Sequence, residues 1–364
     1  MRTGALAAAL ALAAGTAAAA GVGALGVAVP ATAAGAAMAG TAVVAGAVPS
    51  PWARAAGIAG KAAALTRHET IRAPGGIGRR PGSPAAPATY YIAIGASESV
   101  GIQPTPGHHH GRRTNRGYAN DLTAIERGRW PGLRLRALGC PGITVEVARR
   151  GGGHCHYAAG SQVRAAVDIL RAHRRAAVLA TVDLGFNDLW PCLEKDKVDR
   201  SCVDAAVHRV GRVVTAILRQ VRAAGGPRLH VIGVLHNDPY LGEYLAGRRG
   251  RAFAIASVSA IDALNRALAD AYTRAGILSA DVPAAFATGD HRLVDLRGHG
   301  RVPTDVARMC SMSWMCAPPP LGENIHPNTD GYRAIAGALA AALAGTLGHP
   351  RAPANRRSLP VVRS

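Results

Sequence analysis

The sequence predicts an α/β fold: a single three-layer α/β/α domain with a mostly parallel sheet, over residues 88–347. Three features point there. Short apolar runs end at glycine, as in Tyr90–Ile94 before Gly95 and Ala176–Leu184 before Gly185. These runs alternate with segments of helical period. Both flanks, 1–87 and 348–364, shift to a composition rich in Ala, Gly, Pro and Arg.

In chain order, Tyr90-Tyr91-Ile92-Ala93-Ile94 reads as a buried strand. Leu133, Leu135 and Ala137 alternate with arginines and predict a second. Residues 160–174 place Val163, Ala166, Val167 and Leu170 on one helical face. The nearly continuous apolar run AAVLATVDL suits a central parallel strand covered on both faces. Residues 203–224 form an amphipathic helix that stops at Gly225-Gly226-Pro227. Leu229–Leu235 is the next strand and Ala252–Ala275 the next helix. A short strand is expected near Leu293–Leu296, and Thr329–Leu347 is the last helix. In such a sheet, ligands sit beyond the carboxyl ends of the strands.

Composition narrows the function classes. Of 364 residues, 49% are hydrophobic, with 44 glycines and 23 prolines, and the apolar runs of the central region exclude fibrous and wholly disordered chains. Beyond residue 60 no apolar stretch approaches the ~20 residues that span a bilayer, which argues against a polytopic membrane protein. The net charge of +20 is dispersed, with +6 in residues 1–87, +4 in the tail and +10 across the centre without a dense basic run. Solvated arginines account for it; the alternative is weak association with an anionic envelope. No nucleic-acid-binding motif accompanies the charge, so nucleic acid is not an expected partner.

Met1-Arg2 and the apolar run after it predict a secretory signal over 1–33, cleaved after Ala31-Thr32-Ala33. The rival reading is an uncleaved segment that anchors the chain to the cell envelope. Residues 34–87 read as a linker and 348–364 as a disordered tail. Either way the domain is expected outside the cell. The cysteines agree. Cys140, Cys155, Cys192, Cys202, Cys310 and Cys316 fall into close sequential pairs spaced 15, 10 and 6 apart. Six cysteines allow about 15 connectivities, and the grouping favours the local one, Cys140-Cys155, Cys192-Cys202 and Cys310-Cys316. A metal site of Cys140 with His154-Cys155-His156 is the competing use, and His108-His109-His110 reads as a solvated loop.

Four segments fall at the carboxyl edge of the predicted sheet. Gly95-Ala96-Ser97-Glu98-Ser99 puts a serine on a tight turn after the first strand. Backbone N–H groups at such a turn can stabilise an oxyanion. Leu138-Gly139-Cys140-Pro141-Gly142-Ile143-Thr144 follows the second strand; its glycines allow close approach to a ligand, or simply make a turn. Gly185-Phe186-Asn187-Asp188 ends the most buried strand, where Asn187 either donates into the crevice or caps the next segment. Glu323-Asn324-Ile325-His326-Pro327-Asn328 precedes the last helix, with His326 in reach of the crevice as a general base.

Together the four segments resemble the SGNH (GDSL-type) serine hydrolase family, whose blocks are a Gly-Asp-Ser turn, a glycine loop, a Gly-x-Asn-Asp turn and an Asp-x-x-His-Pro segment. The resemblance implies a flavodoxin-like sheet and a carboxylic ester hydrolase of esterase or lipase type. It makes Ser97 the nucleophile and His326 the base. The backbone N–H groups of Ser97 and Gly142 and the Asn187 side chain become the oxyanion hole. Two positions depart from the pattern. Ala96 replaces the aspartate before the serine, and Glu323 stands where the His-orienting aspartate is expected, so Glu323 is the orienter unless Asn324 or a backbone carbonyl takes that role. The cysteine pairs, Ser313-Trp314-Met315-Cys316 and Asn237-Asp238-Pro239-Tyr240 are similar to a secreted bacterial branch of the family with esterase and lipase activity.

A monomer with no cofactor and no metal is expected, and the branch implies action on small-molecule or lipid esters. The runner-up substrate is an acylated glycan, which would make the protein a polysaccharide or cell-wall O-acetylesterase. A non-catalytic surface binding module on the same fold is the alternative of another class.

Overall fold

The computed structural model describes residues 86–193 and 197–348. Residues 1–85 and 349–364, where the signal, most of the linker and nearly all of the tail are expected, lie outside them. Five parallel strands form the central sheet: β1 (Thr89–Gly95), β2 (Leu133–Ala137), β3 (Ala177–Asp183), β4 (His230–Val234) and β5 (Leu278–Ala280). Their spatial order is β2-β1-β3-β4-β5. This is the flavodoxin-like order, in which the winding reverses between the first and third strands and opens a crevice there.

Strand periodicity divides the core into two layers. On β1, Tyr90, Ile92 and Ile94 pack on one face with the helices Gln162–Ala172, Arg200–Ala224 and Gly247–Arg274. Tyr91 and Ala93 point the other way, toward the helices Tyr118–Glu126 and Thr329–Gly348. Successive side chains of a strand face opposite sides, so one five-residue run serves both layers. The expected three-layer α/β/α architecture is present.

The long helices start on local chemistry. Asp199 Oδ1 accepts from Cys202 N–H at 3.0 Å and caps the helix Arg200–Ala224. Ser161 caps Gln162–Ala172 in the same way. The helix Gly247–Arg274 reaches a mean hydropathy of 1.3 over 18 residues, long and apolar enough to cross a membrane by length and composition. Here Ile261, Leu264 and Leu268 bury that apolar face in the core.

One expectation about strands is corrected, and one strand was not foreseen. Leu293–Leu296 does form a strand, but it pairs antiparallel with Gly300–Pro303 as a hairpin outside the sheet. The fifth sheet strand is Leu278–Ala280, whose three residues are too few to show a period. The three local disulfides form as the cysteine grouping suggests, and no cysteine among the described residues is free.

Candidate active site

The turn after β1 is built by close backbone approach. Ser97 leads into a 3-10 turn, Glu98–Val100, and Ser99 Oγ donates to Ala96 O at 2.8 Å. Ala96, in place of the family's aspartate, packs into the core. The glycine loop after β2 lies against this turn: Cys140 N–H donates to Gly95 O at 3.1 Å. A Cβ at Gly139 would stand 2.0 Å from Ser99 Oγ and 2.8 Å from Ala96 O, so only glycine fits. Gln162, which sequence reasoning did not single out, donates from Nε2 to Gly95 O and Leu138 O, both at 2.8 Å. It buckles the first two strand ends together.

The turn after β3 is tied to the same loop. Gly185 has φ +121°, and a Cβ there would press on Val210 at 3.0 Å. Asn187 Nδ2 donates to Ile143 O at 3.1 Å, which leaves its second N–H for the cavity it lines. Asp188 Oδ2 accepts from Val145 N–H at 2.9 Å. The cysteine pair Cys140-Cys155 holds the loop's outer side, and both sulfurs are consumed in that bond, so the alternative metal site with His154 and His156 has no thiolate ligand. His154 Nε2 instead sits 2.7 Å from Pro141 O.

His326 lies on a short strand, Asn324–Pro327. Asn324 Oδ1 accepts from the His326 backbone N–H at 3.0 Å, which identifies that atom as the amide oxygen. The same oxygen is 2.8 Å from His326 Nδ1. An amide oxygen only accepts, so Nδ1 carries the ring proton and Nε2 keeps the lone pair that a base requires. Burial disfavours the imidazolium and lowers the pKa of His326 to about 4. Glu323, expected as orienter, is on the other side of the strand. It is exposed and lines a separate cleft of about 540 Å³ with Gly242, His299 and Met315.

Ser97, Asn187 and His326 share one cavity at the β1/β3 reversal, whose interior reachable by water-sized atoms is about 20 Å³, room for about one water. Ser97 and His326 make no direct hydrogen bond, the looser geometry common before substrate binds. Gly142, with φ +75°, is not a lining residue of the cavity. The loop that carries it is nonetheless tied to the wall through Ile143 and Asn187.

The same cavity exposes three groups the sequence did not reveal: Glu98, Asp183 and His236. Burial raises the pKa of Glu98, and the charge of Asp183 raises it further. Burial also raises Asp183 and lowers His236, the latter to about 4. The one available sequence signal was an acid ending an otherwise apolar strand.

With the four blocks at one crevice, the comparison with known proteins can be read. The sequence profile of the GDSL-like lipase/acylhydrolase family matches residues 93–334. The chain belongs to that family. As a GDSL-like hydrolase it is a carboxylic ester hydrolase. Solved structures similar to it include phospholipase A1 from Streptomyces albidoflavus NA297, at 20% identity and TM-score 0.42, covering 70% of this chain and 99% of that one. An extracellular lipase from Streptomyces rimosus aligns at 18% identity and TM-score 0.44, covering 70% and 100%. An acetylxylan esterase from Geobacillus stearothermophilus aligns at 14% identity and TM-score 0.41, covering 71% and 95%. No curated protein sequence matches the chain.

Proposed function

We propose that this GDSL-like hydrolase is an exported serine esterase that removes short acyl groups through a Ser97 acyl-enzyme. The observation that carries the reading is the small cavity shared by Ser97, Asn187 and His326. His326 Nε2 takes the proton of Ser97 as Oγ attacks the ester carbonyl. The oxyanion is received by the Asn187 N–H and by the backbone N–H of Ser97. His326 then returns the proton to the leaving alcohol. Water, deprotonated by the same nitrogen, releases the acid and restores Ser97. Asn324, not Glu323, holds the ring. A neutral amide fixes the tautomer without adding a charge against the imidazolium.

The confined space around Ser97 favours a short acyl group over a fatty chain. This supports the esterase and O-acetylesterase readings over a long-chain lipase. The test is a p-nitrophenyl ester series from acetate to palmitate, alongside fluorophosphonate labelling of wild type and Ser97→Ala. Labelling confined to Ser97, with kcat/KM falling from acetate to palmitate, is expected. An unlabelled folded protein overturns the serine mechanism, and a maximum at long chains overturns the short-acyl assignment. Export is supported by three disulfides, and N-terminal sequencing of the protein from culture medium tests it.

A further inference from the structure

Glu98, Asp183 and His236 converge in the wall of the cavity although they come from the turn after β1, the end of β3 and the segment after β4. One carboxylate oxygen from each acid and one ring nitrogen all lie within 4.8 Å of one another. Hydrogen bonding decides what these atoms offer. His236 Nε2 is 3.4 Å from Leu184 O, and a carbonyl only accepts, so Nε2 carries the proton. Nδ1 therefore turns its lone pair toward Asp183 Oδ1, 3.8 Å away.

Asp183 is 2% exposed, and its Oδ2 is buried with no hydrogen-bond partner. The neighbouring Tyr118 hydroxyl acts on Asp183 as a hydrogen-bond donor that offsets only part of the effect of burial, and it stands outside close hydrogen-bond geometry. No lysine or arginine lines the cavity. Two acids and a neutral imidazole thus meet at one place without a cationic side chain, an arrangement that costs heavily unless a cation or a shared proton sits among them.

We propose that Glu98, Asp183 and His236 bind a first-row divalent cation, Zn²⁺ or Mn²⁺, in the wall of the catalytic cavity. One imidazole with two carboxylates is a donor set these ions accept. Bonds of about 2.0–2.2 Å keep ligand atoms within about 4.4 Å of each other, so small side-chain rotations close the site. The imidazole is already held from behind. The His236 backbone N–H donates to Asn265 Oδ1 and its C=O accepts from Asn265 Nδ2, both at 2.8 Å. Three protein ligands leave coordination positions open toward the cavity.

The proposal does not rest on the ester-hydrolase reading, because binding is measured directly. Chelator-treated full-length protein is titrated calorimetrically with ZnCl₂ and, separately, MnCl₂. Wild type is expected to bind one equivalent that Asp183→Asn and Glu98→Gln each weaken by at least about 100-fold, with unchanged circular dichroism. The exposed His108 and His110 can contribute weak sites, but all three proteins retain them, so only the difference counts. Identical titrations of wild type and either folded variant with both metals overturn the proposal. In that case a proton shared by Glu98 and Asp183 supplies the missing charge, visible as a protonated-carboxyl infrared band.

Discussion

Two histidines face the same cavity and carry opposite assignments. His326 and His236 are both held neutral by burial, with pKa values lowered to about 4. On His326 the proton is fixed on Nδ1 by Asn324, and Nε2 is left with the lone pair. On His236 the proton is fixed on Nε2 by Leu184 O, and the lone pair of Nδ1 faces the buried Asp183. Burial is common to both and cannot separate them. The hydrogen bond at one ring nitrogen decides what the other can do, and it comes from a side-chain amide at His326 and from a backbone carbonyl at His236.

The sharpest break in the comparison is removal of the base. His326→Ala should lower kcat/KM on p-nitrophenyl acetate by on the order of 10⁴- to 10⁶-fold. A loss below tenfold would hand the base role to His236. Next in size is the ring's partner. Asn324→Ala should lower kcat by about 10- to 10³-fold, whereas Glu323→Gln should stay within about twofold of wild type. The reverse pattern would restore Glu323 as orienter.

The pH profile tests the tautomer argument with a smaller effect. A base works while deprotonated, so activity is lost as pH falls through the pKa of His326. The acid limb of kcat/KM should then centre near pH 4, well below the ordinary imidazole range of about 6.5. An acid limb near 6.5 would mean that the ring is more solvated than its packing implies. Smallest in catalytic terms is Gly139→Ala, which drives a methyl group into Ser99 and the Ala96 carbonyl. It should cost about 1–3 kcal/mol of stability, read as a lower Tm, with the Ser97 turn loosened. An unchanged Tm would show that the two loops leave room for a methyl group at Gly139.

Much of this site was legible in one dimension because its signals are local. An apolar run ending at glycine places Ser97 and Asn187 at strand ends, and sequential cysteine pairs close short loops. The choice between Glu323 and Asn324 was not local. Both precede His326, but the segment Asn324–Pro327 is extended, and residues two apart in a strand share a face. Asn324 therefore sits beside the ring while Glu323 points to the neighbouring cleft. A family pattern with an acid three positions before the histidine cannot be carried over where the local backbone has period two.

By itself the sequence determined the alternation of strands and helices, the crevice-edge blocks and the family, because these follow from hydrophobic period and from residue types at turns. Tertiary structure alone decided three things. The three-residue strand Leu278–Ala280 exists because β4 offers it a ladder, not because its residues prefer extension. Leu293–Leu296 left the sheet because its partner is the antiparallel strand Gly300–Pro303. Glu98, Asp183 and His236 became neighbours only when three parallel strands aligned their carboxyl ends. Their proximity is a property of strand order, which no spacing along the chain encodes.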